Sequence, residues 1–144
     1  KTRISVYDID FGATYTNVPA GVGYNHNCDD PSINVVDPKL LEALLAYEPT
    51  IDLNANQLIE MSEAAAFTGA LDLSDLGLRN AAGLETFSSI DALTLDDNDF
   101  LRLDLSGNSS LESLSAQNVG LTILKLNNGN NENFTTLSLA GNPD

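Results

Sequence analysis

IDALTLDDNDF, residues 90–100, is followed at once by LRLDLSGNSSL, residues 101–111. Both read Leu-x-Leu, two small or polar residues, then Asn. The wider template Φ-x-x-Leu-x-Φ-x-x-Asn, with Φ apolar, fits Ile90, Leu93, Leu95 and Asn98. It fits again at Phe100, Leu103, Leu105 and Asn108, and at Phe134, Leu137, Leu139 and Asn142. Leu111, Leu114 and Ala116 follow it with Asn118 one place early, as do Leu121, Leu124 and Leu126 with Asn128. Upstream, Leu71, Leu73 and Leu78 fit, but Leu76 takes the asparagine place. Taken in pairs, the units start near 68 and at 90, 111 and 134, giving periods of about 22, 21 and 23 residues.

Few folds accept such a pattern. Leu-x-Leu is a short strand with both leucines on one face. One such coil cannot bury that face alone, so coils must stack. An asparagine at the corner can turn its amide inward and bond backbone groups that the turn leaves unpaired. The expected ladder is Asn98, Asn108, Asn118 and Asn142. The expected class is α/β: a solenoid of short parallel strands whose opposite side is mostly non-helical.

The paired half-units IDALTLDDNDF and FLRLDLSGNSS resemble the leucine-rich repeats of internalin-like and Bacteroidetes cell-surface proteins. The resemblance covers residues 33–144. It implies a helical N-terminal cap over 33–67 and repeats over 68–144. It places the first half-unit of each pair on a concave face and the second on the opposite side. It also implies an extracellular or bacterial cell-surface location and a recognition role. Residues 1–32 have no counterpart. RISVYDIDF, residues 3–11, alternates and reads as a strand, and 17–32 read as a loop. The chain opens on Lys1 rather than Met, and LSLAGNPD carries no polar cap. The chain thus reads as a piece of something longer. Further repeats or another chain are expected at the open edge formed by Phe134, Leu137 and Leu139.

Asp37-Pro38 is a helix start, with Asp as N-cap and Pro at the first helical position. Leu40, Leu41, Leu44 and Leu45 then share one helical face, and Pro49 ends the helix. DLNANQLIEMSE, residues 52–63, follows the calcium-loop pattern. Asp52, Asn54, Asn56, the Leu58 carbonyl, Glu60 and Glu63 occupy the ligand positions, and Ile59 the packing position. Gln57 stands where such a loop needs glycine for its turn. Calcium is the one cofactor the sequence points to. The alternative is a loop that keeps its shape without metal, Asn54 and Asn56 bonding backbone as turn residues.

The formal net charge is −15, from 6 Lys plus Arg against 21 Asp plus Glu, which repels nucleic acid and anionic membrane and favours cationic partners or metal ions; the expected partner is a protein with a cationic surface. No apolar run approaches the length of a membrane span. Outward positions on the concave strands carry Asp72, Asp75, Asp91, Thr94, Asp96, Asp97, Glu112 and Gln117, the expected partner-binding set. Neighbouring strands put Asp75 beside Asp97 and Asp91 beside Glu112, a mildly destabilising arrangement that structure alone would not select. Arg102 and Lys125 map to the other side. The chain has one His, one Cys and no Trp, so no His-based triad or metal site and no disulfide can form within it. The expected function is non-catalytic: a surface module binding a protein through its acidic concave face. The rival is an assembly subunit of an envelope complex, meeting other chains through the open C-terminal edge and the N-terminal strand.

Overall fold

Each Leu-x-Leu run forms a strand, and the strands stack in parallel. The computed structural model describes residues 31–129 and 131–143. The expected strand over 3–11 and the loop before Pro31 lie outside the described residues. Strands β1 (Gly69–Asp72), β2 (Ile90–Thr94), β4 (Ser113–Ser115) and β6 (Thr136–Ser138) form one sheet in that order. Strands β3 (Arg102–Asp104) and β5 (Ile123–Lys125) form a second. First and second half-units therefore alternate between two sheets. This is a solenoid of about three turns. Register pairs Leu71 with Leu93, Leu93 with Leu114 and Leu114 with Leu137, so the repeat spacing of the sequence is the inter-strand step of the sheet.

The core lies between the sheets. Leu71, Leu73, Leu93, Leu95, Leu103, Leu105, Leu114 and Ala116 are all buried, together with Phe87 and Phe100. Burying one such leucine stabilises by about 1.5–3 kcal/mol before entropy is counted. Hence the stacked column, rather than any single coil, makes the fold. Leu137 continues the Leu71–Leu93–Leu114 column yet is 50% exposed, because no following coil covers it among the described residues.

Corners are made in the same way on each turn. Asp75, Asp97, Asn118 and Gly141 all have positive φ, between 55° and 77°. Asp and Asn tolerate this left-handed conformation better than other side-chain-bearing residues. At Gly141 a side chain would also run into the Asn118 amide. After Asp97 and Gly141 the next residue is a ladder asparagine. Asn98 Nδ2 donates to the carbonyls of Leu73 and Leu95, both at 2.8 Å, and its Oδ1 accepts from the Leu78 N–H at 2.9 Å. Asn142 repeats this one step on, donating to Ala116 and Leu139 and accepting from the Val119 and Leu121 N–H groups. Each of these asparagines ties its own coil to the one before it. Across the core, Asn108 is fully buried and donates to the Leu84 and Phe87 carbonyls, while Asn128 donates to the Asn108 carbonyl.

Asn118 departs from the expected ladder. It is exposed, and its amide donates to the Asp97 carboxylate at 3.1 Å. Counted from the buried Leu114 and Ala116, Asn118 falls on the positive-φ corner, and Val119 fills the ladder position inside the core.

Among the described residues two short helices precede the first strand. Helix α1 (Pro38–Leu45) begins at the Asp37 N-cap, whose Oδ1 accepts the Lys39 N–H at 3.0 Å. Its Leu40 and Leu44 are fully buried, one turn apart on one face, while Leu41 and Leu45 are half-buried. The helix stops at Leu45, short of Pro49, with the Ala46 N–H closing on Glu42. The second Asp37 oxygen reaches across the chain to the Arg79 and Asn80 N–H groups, at 2.6 and 3.2 Å, and locks α1 onto the turn after β1. Tyr47 closes the outer edge of β1. Its hydroxyl accepts the Asp72 N–H at 2.8 Å and lies 3.4 Å from the Ala70 carbonyl, to which it donates. Its ring packs edge-on against Phe67, which packs edge-on against Phe87. Helix α2 (Met61–Ala66) follows the Asp52–Glu63 loop.

Candidate functional site

The outward positions of the four-stranded sheet gather most of the expected partner-binding residues. Asp72, Asp75, Asp91, Asp97 and Glu112 are exposed, and Thr94, Asp96 and Gln117 are half-buried. The Glu112 N–H bonds the Asp91 carbonyl, and the Asp75 N–H bonds the Asp96 carbonyl one residue before Asp97. The expected neighbours Asp91/Glu112 and Asp75/Asp97 therefore sit on adjacent turns. Among the described residues the ion pair is Lys125–Asp104 at 3.0 Å, on the two-stranded sheet. That sheet also carries Arg102, so the cationic residues named above fall opposite the acidic face. Asp104 is held down to about 2 by the Ser106 hydroxyl and N–H and by Lys125.

Two of these carboxylates have structural partners. Asp96 accepts the Ser115 hydroxyl at 2.7 and 2.9 Å, the Gln117 N–H at 2.7 Å and the Gln117 side chain at 3.3 Å. It is a cross-coil clamp, and Gln117 is the other half of it. Asp72 accepts both the N–H and the hydroxyl of Ser74. Asp104 does the same with Ser106, so the tetrapeptide Leu-Asp-Leu-Ser, at 71–74 and 103–106, builds one turn on both sheets. The carboxylates left facing solvent are those of Asp75, Asp91 and Glu112, with Asp97 partly engaged by the Asn118 amide. Sequence reading missed the Ser115–Asp96 clamp, because the partners are separated by a whole coil and meet only once the register is known.

The Asp52–Glu63 loop also folds as a unit. Asp52 accepts the Asn56 and Gln57 N–H groups at 3.2 and 2.9 Å. Asn54 Oδ1 accepts the Asn56 N–H at 3.0 Å, and Asn56 Oδ1 the Leu58 N–H at 2.8 Å. Their amide nitrogens turn the other way, onto the Glu60 carboxylate, at 3.3 Å from Asn54 and 2.6 Å from Asn56. Glu63 accepts the Leu53, Asn54 and Glu60 N–H groups at 2.8–3.3 Å. Gln57, in the expected glycine place, has φ 65°. Glu60 and Glu63 are both buried. Burial pushes the Glu63 carboxyl up, helped by its hydrogen bond to Glu60. Burial pushes the same way on Glu60, but hydrogen bonds from Glu63, Asn56 and Asn54 outweigh it and hold Glu60 below the usual range.

A hard cation needs oxygens converging on it. Here the asparagine oxygens are spent on backbone N–H groups, and amide hydrogens face Glu60. Among the described residues no three acidic, histidine or cysteine side chains are grouped to hold a metal ion. No helix among the described residues is long and apolar enough to cross a membrane. No protein-family model matches the chain, and no curated protein sequence matches it.

Proposed function

We propose that the chain is a non-catalytic recognition module of the leucine-rich-repeat kind, secreted or displayed on a bacterial cell surface. In this reading α1 and α2 are its N-terminal cap, and the four-stranded sheet is its concave face. That face binds a protein partner carrying a cationic surface. The observation that carries the reading is the exposed, unneutralised set of Asp75, Asp91, Asp97 and Glu112 on adjacent turns of one sheet. Like charges at this spacing cost stability and help only when an opposite charge arrives. Rim charges of this kind act mainly on association rate and salt dependence.

The test compares capture from a bacterial envelope extract by the immobilised chain and by an Asp75→Lys/Asp91→Lys/Asp97→Lys variant with unchanged circular dichroism. Asp96 is left alone because it clamps Ser115 and Gln117. Proteins held by the parent should elute with salt and be absent from the variant. Equal capture by both sinks the concave-face reading.

A second reading rests on a different observation. Leu137 is half-exposed while its register partners are buried, which favours a subunit that meets other chains through its C-terminal edge. A Leu137→Asp variant that loses the same captured proteins, while the charge variant keeps them, would select this reading.

A further inference from the structure

We infer that the Asp52–Glu63 loop holds its shape without a metal ion, with the Glu60 carboxylate as the internal anchor that a bound cation supplies in a calcium loop. The inference stands on which atoms face which. Asn54 and Asn56 present their amide hydrogens to Glu60, and their oxygens accept the Asn56 and Leu58 N–H groups. Neither amide can be turned round alone. Reversal would set an amide oxygen against the Glu60 carboxylate and an N–H₂ group against a backbone N–H, a double repulsion. Asp52 and Glu63 complete the loop by accepting backbone N–H groups from five residues: Leu53, Asn54, Asn56, Gln57 and Glu60.

A divalent cation would therefore have to break the loop's own bonds before it gained a ligand shell. It would have to draw the Glu60 carboxylate away from both asparagine amides and turn both asparagines, freeing the Asn56 and Leu58 N–H groups. Glu60 also belongs to the fold on its other side. Its neighbours Ile59 and Met61 bond to Ile33 and Pro31, and the entering chain pairs with Glu60 through Ser32. The anchor thus ties three segments together: the entering chain, the loop and α2. The loop is a connector that keeps α1 and α2 in place at all calcium concentrations.

The test uses the whole 144-residue chain. Thermal unfolding is followed in millimolar calcium and in chelator, with calcium titrated by calorimetry in parallel. The unfolding temperature should be the same in both and the titration should give no heat of binding. Asn56→Ala and Glu60→Gln should each lower the unfolding temperature, by the same amount with and without calcium. A saturable calcium-dependent rise in the parent overturns the inference. So does a loss in either variant that appears only in calcium, or no loss in either condition.

Discussion

Replacing Asn98 by valine removes a rung of the ladder while leaving a side chain of tolerated shape, because the third coil already holds Val119 in the equivalent place. Asn98 makes two bonds to backbone carbonyls at 2.8 Å and accepts a third from the Leu78 N–H at 2.9 Å. Each bond is worth about 1 kcal/mol net, and a buried N–H left without a partner costs about 1–3 kcal/mol more. Leu78 is fully buried, so its N–H finds no ready replacement. The expected loss is about 3–5 kcal/mol, a large share of the ~5–15 kcal/mol typical of a domain. Urea unfolding with a slope of ~1–3 kcal/mol per molar should show the midpoint falling by about 2 M. Asn118→Gly is the control. Glycine keeps the positive-φ corner, and the one described side-chain bond it removes is an exposed contact with Asp97, so the expected change is within about 1 kcal/mol. A cost below about 1 kcal/mol for Asn98→Val, or equal costs for the two variants, would refute the reasoning.

Asp37→Ala should cost about 2–4 kcal/mol by urea unfolding, since it removes an N-cap and frees the Arg79 and Asn80 N–H groups. Burial pushes the Asp37 carboxyl up, but four backbone hydrogen bonds outweigh it and hold the group below its ordinary 3.8. Its contribution is therefore present above that pH and lost as the pH falls through the lower folded value, so the parent and Asp37→Asn should converge in stability only in strong acid. Leu114→Ala should cost about 2–5 kcal/mol, and Leu137→Ala under about 1 kcal/mol, because the first is fully buried and the second is half-exposed. Equal losses at the two leucines would mean that the last coil is covered in solution.

The solenoid was legible in the sequence because its cause is periodic. Leu71, Leu93, Leu114 and Leu137 recur at the spacing that became the strand register. The Asp37-Pro38 helix start was legible because capping is local chemistry. Asn118 was misassigned for the same reason that Asn98 was right. A template read along the chain cannot tell a corner asparagine from a ladder asparagine when another residue fills the ladder place, and the burial of Val119 decides it. The loop shows a different limit. The residue types of DLNANQLIEMSE allow both a ligand shell and a self-bonded turn, and only the direction of the Asn54 and Asn56 amides separates them. Likewise the sequence does not distinguish Asp96 from Asp97; the hydrogen bond from Ser115 does.

Tyr47 has a consequence beyond packing. A sheet edge normally invites a stray strand, and most proteins discourage the visitor with charge or a twist. Here a single phenol oxygen occupies the two main-chain groups that such a strand would need, and it is delivered from the far end of the first helix. Uninvited zippering onto this flank must therefore wait until that helix lets go, so the aggregation barrier there is set by how firmly Asp37 holds the opposite end.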